Sequence, residues 1–166
     1  MENLVHLRKA EDLYMFSCVH NLGKGLSRSW GLNSFRIVEQ AMQEEEYAYL
    51  SFIGLHRFHS MSAHQRNYAY ALTNRHLIMA KMRPFWRTTL EIVPLNEIRN
   101  LSVDSDNSIG VLKIVMEKET ICVGMTQESA IALGKQLTEL LPVIQEYAWQ
   151  LSETETATNE ELIEES

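Results

Sequence analysis

Cationic side chains gather in the middle of this chain, in a stretch that has no acidic residue. Between Tyr47 and Leu90 the sequence contains neither Asp nor Glu. Because cations on one surface without nearby acids create a positive potential, this zone predicts binding to an anionic partner. The alternative is that these cations occupy separate, solvated strand and loop positions. The candidate partner-binding residues are Arg57, Arg66, Arg75, Lys81, Arg83 and Arg87.

Histidines of the same zone are candidate metal ligands by residue type, namely His56, His59 and His64. A zinc site needs four ligands in a tight geometry, and the short Cys or His pairs that usually supply them are missing from the sequence. Catalytic motifs such as G-x-S-x-G and H-E-x-x-H are missing too, and Cys18 and His20 would point to different faces of a helix. The sequence therefore predicts no catalytic, cofactor-binding or metal-binding residue, and a protein that is not an enzyme.

The formal net charge of −7 is concentrated at the C-terminus. Residues 152–166 contain six Glu with no Lys or Arg, and so few apolar side chains that we expect a disordered acidic tail.

Cys18 and Cys122 have apolar neighbours, which predicts reduced core thiols, while a disulfide between them stays open. No stretch approaches the ~18 apolar residues of a membrane span, and the N-terminus lacks an export signal pattern. We therefore expect a cytoplasmic protein without a transmembrane segment.

Helical spacing of apolar residues predicts three helices around a β-rich centre. The first covers residues 7–22, and the second covers residues 33–43 with Asn33 as its N-cap. The third covers residues 127–151 and should bend at Pro142, because proline removes one backbone hydrogen bond. We expect the third helix to pack against one end of the β-rich centre.

Between the second and third helices the sequence changes to the two-residue alternation of β-strands. At its centre, Tyr68, Tyr70 and Leu72 share one face of a strand, and a turn at Asn74 reverses the chain into the next strand. About seven short strands with no helix between them favour an antiparallel barrel or sandwich over a parallel sheet. The predicted strands cover residues 47–58, 68–72, 77–82, 86–93, 98–103, 110–116 and 120–125.

Three motifs within this β-rich region carry a family resemblance. They read LTNRHLI at residues 72–78, IVPLNEI at residues 92–98 and GVLKI at residues 110–114, and the closing helix follows them. In order and spacing they resemble bacterial pleckstrin-homology-like (PH-like) domains of the YokE-like type, over about residues 45–141. The resemblance implies an α+β fold, a PH-like bent antiparallel seven-stranded barrel capped by a C-terminal helix, and brings no shared catalytic residues.

The resemblance divides the chain into three expected segments: an N-terminal helical extension at residues 1–43, the barrel with its C-terminal helix at residues 44–151, and the disordered acidic tail at residues 152–166. Some members of the family are encoded by phages. In eukaryotic relatives, basic residues around the first hairpin bind phosphoinositides, and Arg57, Arg66, Arg75 and Lys81 lie in the comparable part of this chain.

These observations lead to one functional hypothesis and one alternative. The hypothesis is a non-enzymatic protein-interaction module, in a narrower version a phage or mobile-element regulator or inhibitor of a host protein, with the acidic tail imitating nucleic-acid charge. The alternative is an anionic ligand, phospholipid or nucleic acid, bound through the basic zone at residues 57–87. The net charge of −7 speaks against a purely electrostatic membrane binder. A homo-oligomer stays open.

Overall fold

The computed structural model describes residues 4–23, 26–83, 85 and 87–164, with side chains described as far as residue 146. Three α-helices and seven β-strands account for most of these residues, and a short 3-10 turn at Leu95–Glu97 joins the fourth and fifth strands. The helices are α1 (Ala10–Val19), α2 (Arg28–Ala41) and α3 (Gln127–Glu164). The strands are β1 (Ala48–His56), β2 (Asn67–Thr73), β3 (His76–Met82), β4 (Thr88–Pro94), β5 (Ile98–Asp104), β6 (Ile109–Met116) and β7 (Thr120–Thr126).

The seven strands form one antiparallel sheet in the order β4-β3-β2-β1-β7-β6-β5. The halves β4–β1 and β7–β5 are joined where Leu55 and His56 of β1 pair with Gly124 and Val123 of β7. Register shifts near the starts of β1 and β5 bend these strands, as β-bulges do. The fold is therefore the predicted α+β arrangement, with seven antiparallel strands, a C-terminal helix and N-terminal helices.

The concave face of the sheet holds the larger hydrophobic core. Tyr68, Tyr70 and Leu72 point into it, as the alternation in the sequence predicts, and α3 covers it with Leu133 and Leu137. Because successive strand side chains point to opposite faces, the intervening residues of β2 must be buried on the other side. All of β2 except Asn67 is buried, so this strand is covered on both faces.

The N-terminal helices cover the outer face of strands β1 to β3 and form a second core. Leu13 of α1 and Phe35 of α2 are fully buried against Ala69, Ala71 and Ile78. Backbone hydrogen bonds also tie this layer to the sheet, for example from the Ile53 amide to the Leu22 carbonyl at 2.8 Å. The N-terminal helices thus pack on their own barrel, while the division of the chain at residues 43 and 151 stays a prediction.

Several predicted boundaries differ from those of the structure. Helix α2 begins at Arg28 instead of residue 33, because the Ser27 side chain accepts a hydrogen bond from the Trp30 amide and caps it. The prediction of a core thiol at Cys18 is wrong, because this side chain is exposed; Cys122 is half-buried, and both cysteines are free.

The C-terminal helix is longer than the sequence predicts. It continues past Pro142, where buried Leu140 and Ile144 hold both sides of the proline against the barrel. The backbone stays helical to Glu164, whereas the sequence predicts disorder from residue 152. Glu, which occurs six times in residues 152–166, is a good helix former. The side chains of the acidic tail lie outside the described residues.

Candidate functional site

Four cationic side chains share one end of the β1–β4 half of the sheet. Arg66 precedes β2, Lys81 is near the end of β3, and Arg83 and Arg87 flank the β3–β4 turn. Since neighbouring strands are antiparallel, the start of β2, the end of β3 and the start of β4 meet at the same end. We call Arg66, Lys81, Arg83 and Arg87 together the cationic end.

The backbone fixes the positions of these cations. The Arg83 amide donates to the Arg87 carbonyl at 2.8 Å, which closes the β3–β4 turn, and the His56 amide donates to the Arg66 carbonyl at 2.9 Å. Arg66 has a left-handed φ of 66°, so it stands at a sharp change of chain direction just before β2. Arg66, Arg83 and Arg87 are exposed, whereas Lys81 is half-buried.

Three members of the cationic end lie close enough for their charges to act on one another. Burial lowers the pKa of Lys81, and the charges of Arg83 and Arg66 lower it further. The Lys81 ammonium also lies 5.8 Å from the centre of the Tyr68 ring, a cation–π distance. None of the four cations forms an ion pair with another described side chain. The cationic end therefore has a positive charge that none of the described side chains neutralises.

Arg57 lies at the same end, but its charge is neutralised. Its guanidinium is 3.3 Å from the Glu91 carboxylate and 3.2 Å from the Glu119 carboxylate. The hydrogen bond to Glu119 raises the pKa of Arg57, against the opposing effect of burial. Arg57 therefore bridges β1, β4 and the β6–β7 turn and gives the protein's surface little free charge.

Arg75 lies away from the other predicted cations. It is in the β2–β3 turn, at the opposite end of β2 from Arg66, and its guanidinium donates to the Gln43 side chain at 2.8 Å. The structure thus brings together Arg66, Lys81 and Arg83, with Arg87 beside them, but not Arg75. The spacing of these cations in the sequence does not show which of them share an end of the sheet. That depends on the lengths of the strands and on how they pair.

A buried polar network lies beneath the cationic end. His56 is fully buried, with Nδ1 2.8 Å from the Tyr70 hydroxyl and Nε2 3.1 Å from the Glu91 carboxylate. Burial lowers the pKa of His56 and raises that of Tyr70 well above its ordinary value. A neutral imidazole with its proton on Nε2 satisfies both contacts, since it donates to Glu91 and accepts from Tyr70. This network connects β1, β2 and β4 inside the barrel.

Two histidines of this zone use ring nitrogens in hydrogen bonds within the protein. His56 uses both ring nitrogens within the protein, and the His64 Nδ1 accepts a hydrogen bond from the Arg66 amide at 3.0 Å. The described residues contain no group of three or more His, Cys, Asp or Glu that could hold a metal ion.

Phe85 is a residue of this end that our sequence reasoning did not single out. Its ring is 92% exposed, in the β3–β4 turn between Arg83 and Arg87. An aromatic residue between two arginines in the sequence is a signal that could have found it, because exposed aromatic and arginine side chains are enriched in binding sites. The candidate site is thus the cationic end with Phe85 at its tip.

The strand order and the helices define a PH-like α+β domain, and comparison with known protein families agrees. Residues 38–137 match the family described as "Bacterial PH domain". The match covers more than half of the chain, which therefore belongs to the bacterial PH domain family. The match does not distinguish the YokE-like type.

One solved structure to which part of this chain is similar comes from Shewanella loihica PV-4. It is a crystal structure of a DUF1696 family protein with a pleckstrin-homology domain, 13% identical in sequence to this chain. The similarity covers 63% of this chain and 86% of that protein, with a TM-score of 0.42. No curated protein matches the sequence at a significant level. None of the described helices is both long and apolar enough to cross a membrane.

Proposed function

We propose that this protein is a non-enzymatic interaction module that binds an acidic segment of a partner protein through the cationic end. The observation that carries this proposal is the proximity of Arg66, Lys81 and Arg83, whose charges no described acid neutralises. Phe85 adds an exposed ring beside them, and aromatic and arginine side chains are the usual energetic centres of protein interfaces. The cationic end would supply charge recognition, and Phe85 would supply apolar contact.

The net charge of the chain favours a protein over a flat anionic surface as the ligand. The formal net charge is −7, so a phospholipid bilayer or a nucleic acid, which is negative throughout, would be repelled by the rest of the molecule. A protein surface can place its own charges to complement both signs.

An anionic phospholipid surface is the second candidate, and Phe85 is the observation that favours it. Peripheral membrane proteins combine cations, which attract anionic headgroups, with an apolar side chain that enters the interface. Phe85 between Arg83 and Arg87 has that pattern. Nucleic acid shares the requirement for cations, and it is distinguished by a steep loss of affinity with added salt.

The test compares the wild-type chain with the double variant Arg83→Glu/Arg87→Glu and a matched control, Lys113→Glu/Lys135→Glu. Both variants change two exposed cations to acids, but only the first changes the cationic end. Each is used to retain proteins from a bacterial lysate and is then mixed with vesicles rich in anionic phospholipid and with duplex DNA. We expect a discrete protein that the wild type and the control retain and that the Arg83→Glu/Arg87→Glu variant loses.

Two results would contradict the proposal. If the Arg83→Glu/Arg87→Glu variant retains the same protein as the wild type, the cationic end is not the binding site. If vesicles alone bind, and the variant releases them, the phospholipid candidate replaces the protein candidate. Binding of DNA alone, lost steeply between low and physiological salt, would identify a nucleic-acid ligand instead.

Narrower hypotheses from the sequence depend on this proposal. The YokE-like type, a cytoplasmic location, and a role as a phage or mobile-element regulator or inhibitor of a host protein all stay predictions. For the last of these, the acidic tail at residues 152–166 is the segment to remove, because its six glutamates are the proposed imitation of nucleic-acid charge. A retained nucleic-acid-binding protein that dissociates when the tail is removed would support it.

A further inference from the structure

Strand β4 is an edge of the sheet and carries apolar side chains in contact with solvent. Its side chains alternate, with Glu91 and Val93 pointing inward and Leu90 and Ile92 pointing to the outer face. Leu90 is 43% exposed and Ile92 42% exposed. The outer layer of α1 and α2 packs on β1 to β3 and leaves these two side chains uncovered.

The hydrogen-bond pattern with β3 shows which backbone groups of β4 face outward. The Arg83 amide donates to the Arg87 carbonyl, and the Leu95 amide donates to the Arg75 carbonyl, at the two ends of this pairing. Between these ends, hydrogen-bonded pairs alternate with non-hydrogen-bonded pairs, so Thr89, Glu91 and Val93 bond to β3. The remaining residues, Thr88, Leu90 and Ile92, direct their amides and carbonyls away from the sheet.

Of the features that usually keep edge strands apart, this edge has one inward-pointing charge and one terminal proline, and neither blocks the outward backbone groups of Thr88, Leu90 and Ile92. Natural edges are protected by lysines, prolines, bulges or inward-pointing charges. The one charged residue of β4 is Glu91, which His56 and Arg57 hold inside the barrel, and Pro94 stands only at the end of the strand. The other edge strand, β5, carries Arg99 and Asp104 as well as a register shift near its start. Of the two edges, β4 is therefore the one suited to pairing.

We propose that β4 pairs with β4 of a second copy of this chain, antiparallel and about a two-fold axis. A two-fold interface needs a surface that is complementary to itself, and an antiparallel edge strand with outward Leu90 and Ile92 meets this condition. The dimer would continue the sheet across the axis and cover the exposed apolar side chains of both copies.

Backbone chemistry selects the register. With Leu90 opposite Leu90 of the second copy, Thr88 and Ile92 pair with each other, and all three outward residues can donate and accept. The alternative register pairs Leu90 with Ile92. It would put Thr88 opposite Pro94, which has no amide proton, and it would put the Glu91 residues of the two copies opposite each other, so that like charges meet. The first register avoids both defects and places Leu90 on the two-fold axis.

The distribution of charge also favours the antiparallel arrangement. The cationic end lies at the start of β4, whereas exposed Glu97 follows its end and exposed Glu44 and Glu45 lie near the β2–β3 turn. An antiparallel pair brings the cationic end of each copy towards Glu44, Glu45 and Glu97 of the other copy. It also separates the two cationic ends by the length of the strand. Charge complementarity of this kind orients an interface.

The first experiment detects the pairing by cross-linking of the full chain. Leu90→Cys is introduced together with Cys18→Ser and Cys122→Ser. The protein, at micromolar concentration, is then treated with oxidised glutathione. A hydrogen-bonded antiparallel pair has a Cα separation of about 5.5 Å, which a disulfide can span. We expect a covalent dimer. The matched control is Ile131→Cys in the same background, which is 46% exposed on α3 and should stay mostly monomeric.

The second experiment measures mass by sedimentation equilibrium from micromolar to millimolar protein. We expect a reversible dimer for the wild type and for Ile131→Lys, and a shift to monomer for Leu90→Lys, with circular dichroism showing that both variants fold. A wild type that stays monomeric throughout, with Leu90→Cys cross-linking no faster than Ile131→Cys, would overturn the proposal. A dimer that Leu90→Lys leaves intact would overturn it as well.

Discussion

At the scale of single residues, His56 couples the protonation of the protein to its folding. Burial lowers its pKa below the ordinary value of 6.5, although the Glu91 carboxylate acts in the opposite direction. The unfolded chain keeps the ordinary value, so below about pH 6.5 it binds a proton that the folded protein does not. Folding stability therefore falls as the pH falls through this window, by up to ~1.4 kcal/mol per pH unit.

The variant His56→Gln tests this coupling. Glutamine keeps a donor for Glu91 and an acceptor for the Tyr70 hydroxyl, but it does not titrate. Free energies of unfolding from urea titrations at about pH 7.5 and about pH 5.5 should show a clear loss for the wild type. The variant should show a smaller loss over the same interval. Equal losses in the two proteins would mean that His56 does not carry the pH dependence.

Glu46 is a second buried group, and it acts in a lower pH window. Burial would raise its pKa, but hydrogen bonds from the Thr73 hydroxyl at 2.6 Å, the Gln43 amide at 2.8 Å and His76 Nδ1 at 2.7 Å prevail and lower it below 4.5. The stability that its charge contributes is thus present above pH 4.5 and lost as the pH falls through the lowered folded-state pKa.

The variant Glu46→Gln removes this charge and should cost ~1–3 kcal/mol of unfolding free energy at neutral pH. As the pH falls through the lowered folded-state pKa of Glu46, the wild-type carboxyl itself becomes protonated, so the difference between the two proteins should shrink. Urea unfolding at neutral pH and at a series of acidic pH values measures this difference. A difference that is constant with pH would show that the Glu46 contribution comes from shape and not from charge.

At the scale of elements, the strands were more predictable from the sequence than the helices. The alternation at Tyr68, Tyr70 and Leu72 is a local pattern that directly reflects which face is buried, and the structure confirms it. The predicted start of α2 at residue 33 is wrong, because Ser27 and not Asn33 caps the helix and Gly31 lies within it. In the structure, a Cβ at Gly31 would lie 2.5 Å from the Tyr14 ring of α1. A contact between helices, invisible in the sequence, therefore decides the residue at this position.

The candidate site was only partly predictable for a similar reason. The absence of acids between Tyr47 and Leu90 correctly indicates an excess of cations in this part of the chain. Which cations meet depends on strand register, which places Arg66 and Arg75 at opposite ends of β2. Which cations are free depends on Glu91 and Glu119, which reach Arg57 from β4 and from the β6–β7 turn. Neither the strand register nor these ion pairs can be predicted from the spacing of residues in the sequence.

The contact between β6 and α3 gives a prediction at this scale. A Cβ on Gly110 would lie 2.1 Å from the Ala130 Cβ and 3.3 Å from the Thr126 carbonyl, so Gly110→Ala should push the start of α3 away from the sheet. A Cβ on Gly134, in contrast, would meet only Val103 at an ordinary 3.8 Å. Because alanine favours a helix over glycine by ~1 kcal/mol, Gly134→Ala should be neutral or stabilising.

Thermal unfolding followed by circular dichroism separates these two variants. We expect a lower melting temperature for Gly110→Ala and an equal or higher one for Gly134→Ala, although the chemical change is identical. A Gly110→Ala protein as stable as the wild type would mean that α3 can move outward without cost, and that the close approach at its first turn is not needed.

At the scale of the whole molecule, strands β1 to β3 are covered on both faces, and this makes the N-terminal helices part of the folded unit. Ala69, Ala71, Ile78 and Ala80 are completely buried beneath α1 and α2. Small side chains at these positions let the helices approach the sheet closely, but they also leave a flat apolar surface if the helices are removed. An exposed surface of this kind promotes association.

Removal of residues 1–43 should therefore produce an aggregating protein instead of an isolated, functional barrel. Leu13→Ala is the milder test of the same contact, since it empties one buried position and should cost ~2–5 kcal/mol of unfolding free energy. Urea unfolding measures this loss, with Met15→Ala, 49% exposed on the same helix, as the control. A soluble, monomeric chain of residues 44–166 with wild-type stability would show that α1 and α2 are dispensable for folding.

If removal of residues 1–43 causes aggregation as expected, loss of a binding partner in that variant reports misfolding and not the loss of a binding site. Point substitutions at the cationic end are therefore the informative variants for locating the binding site.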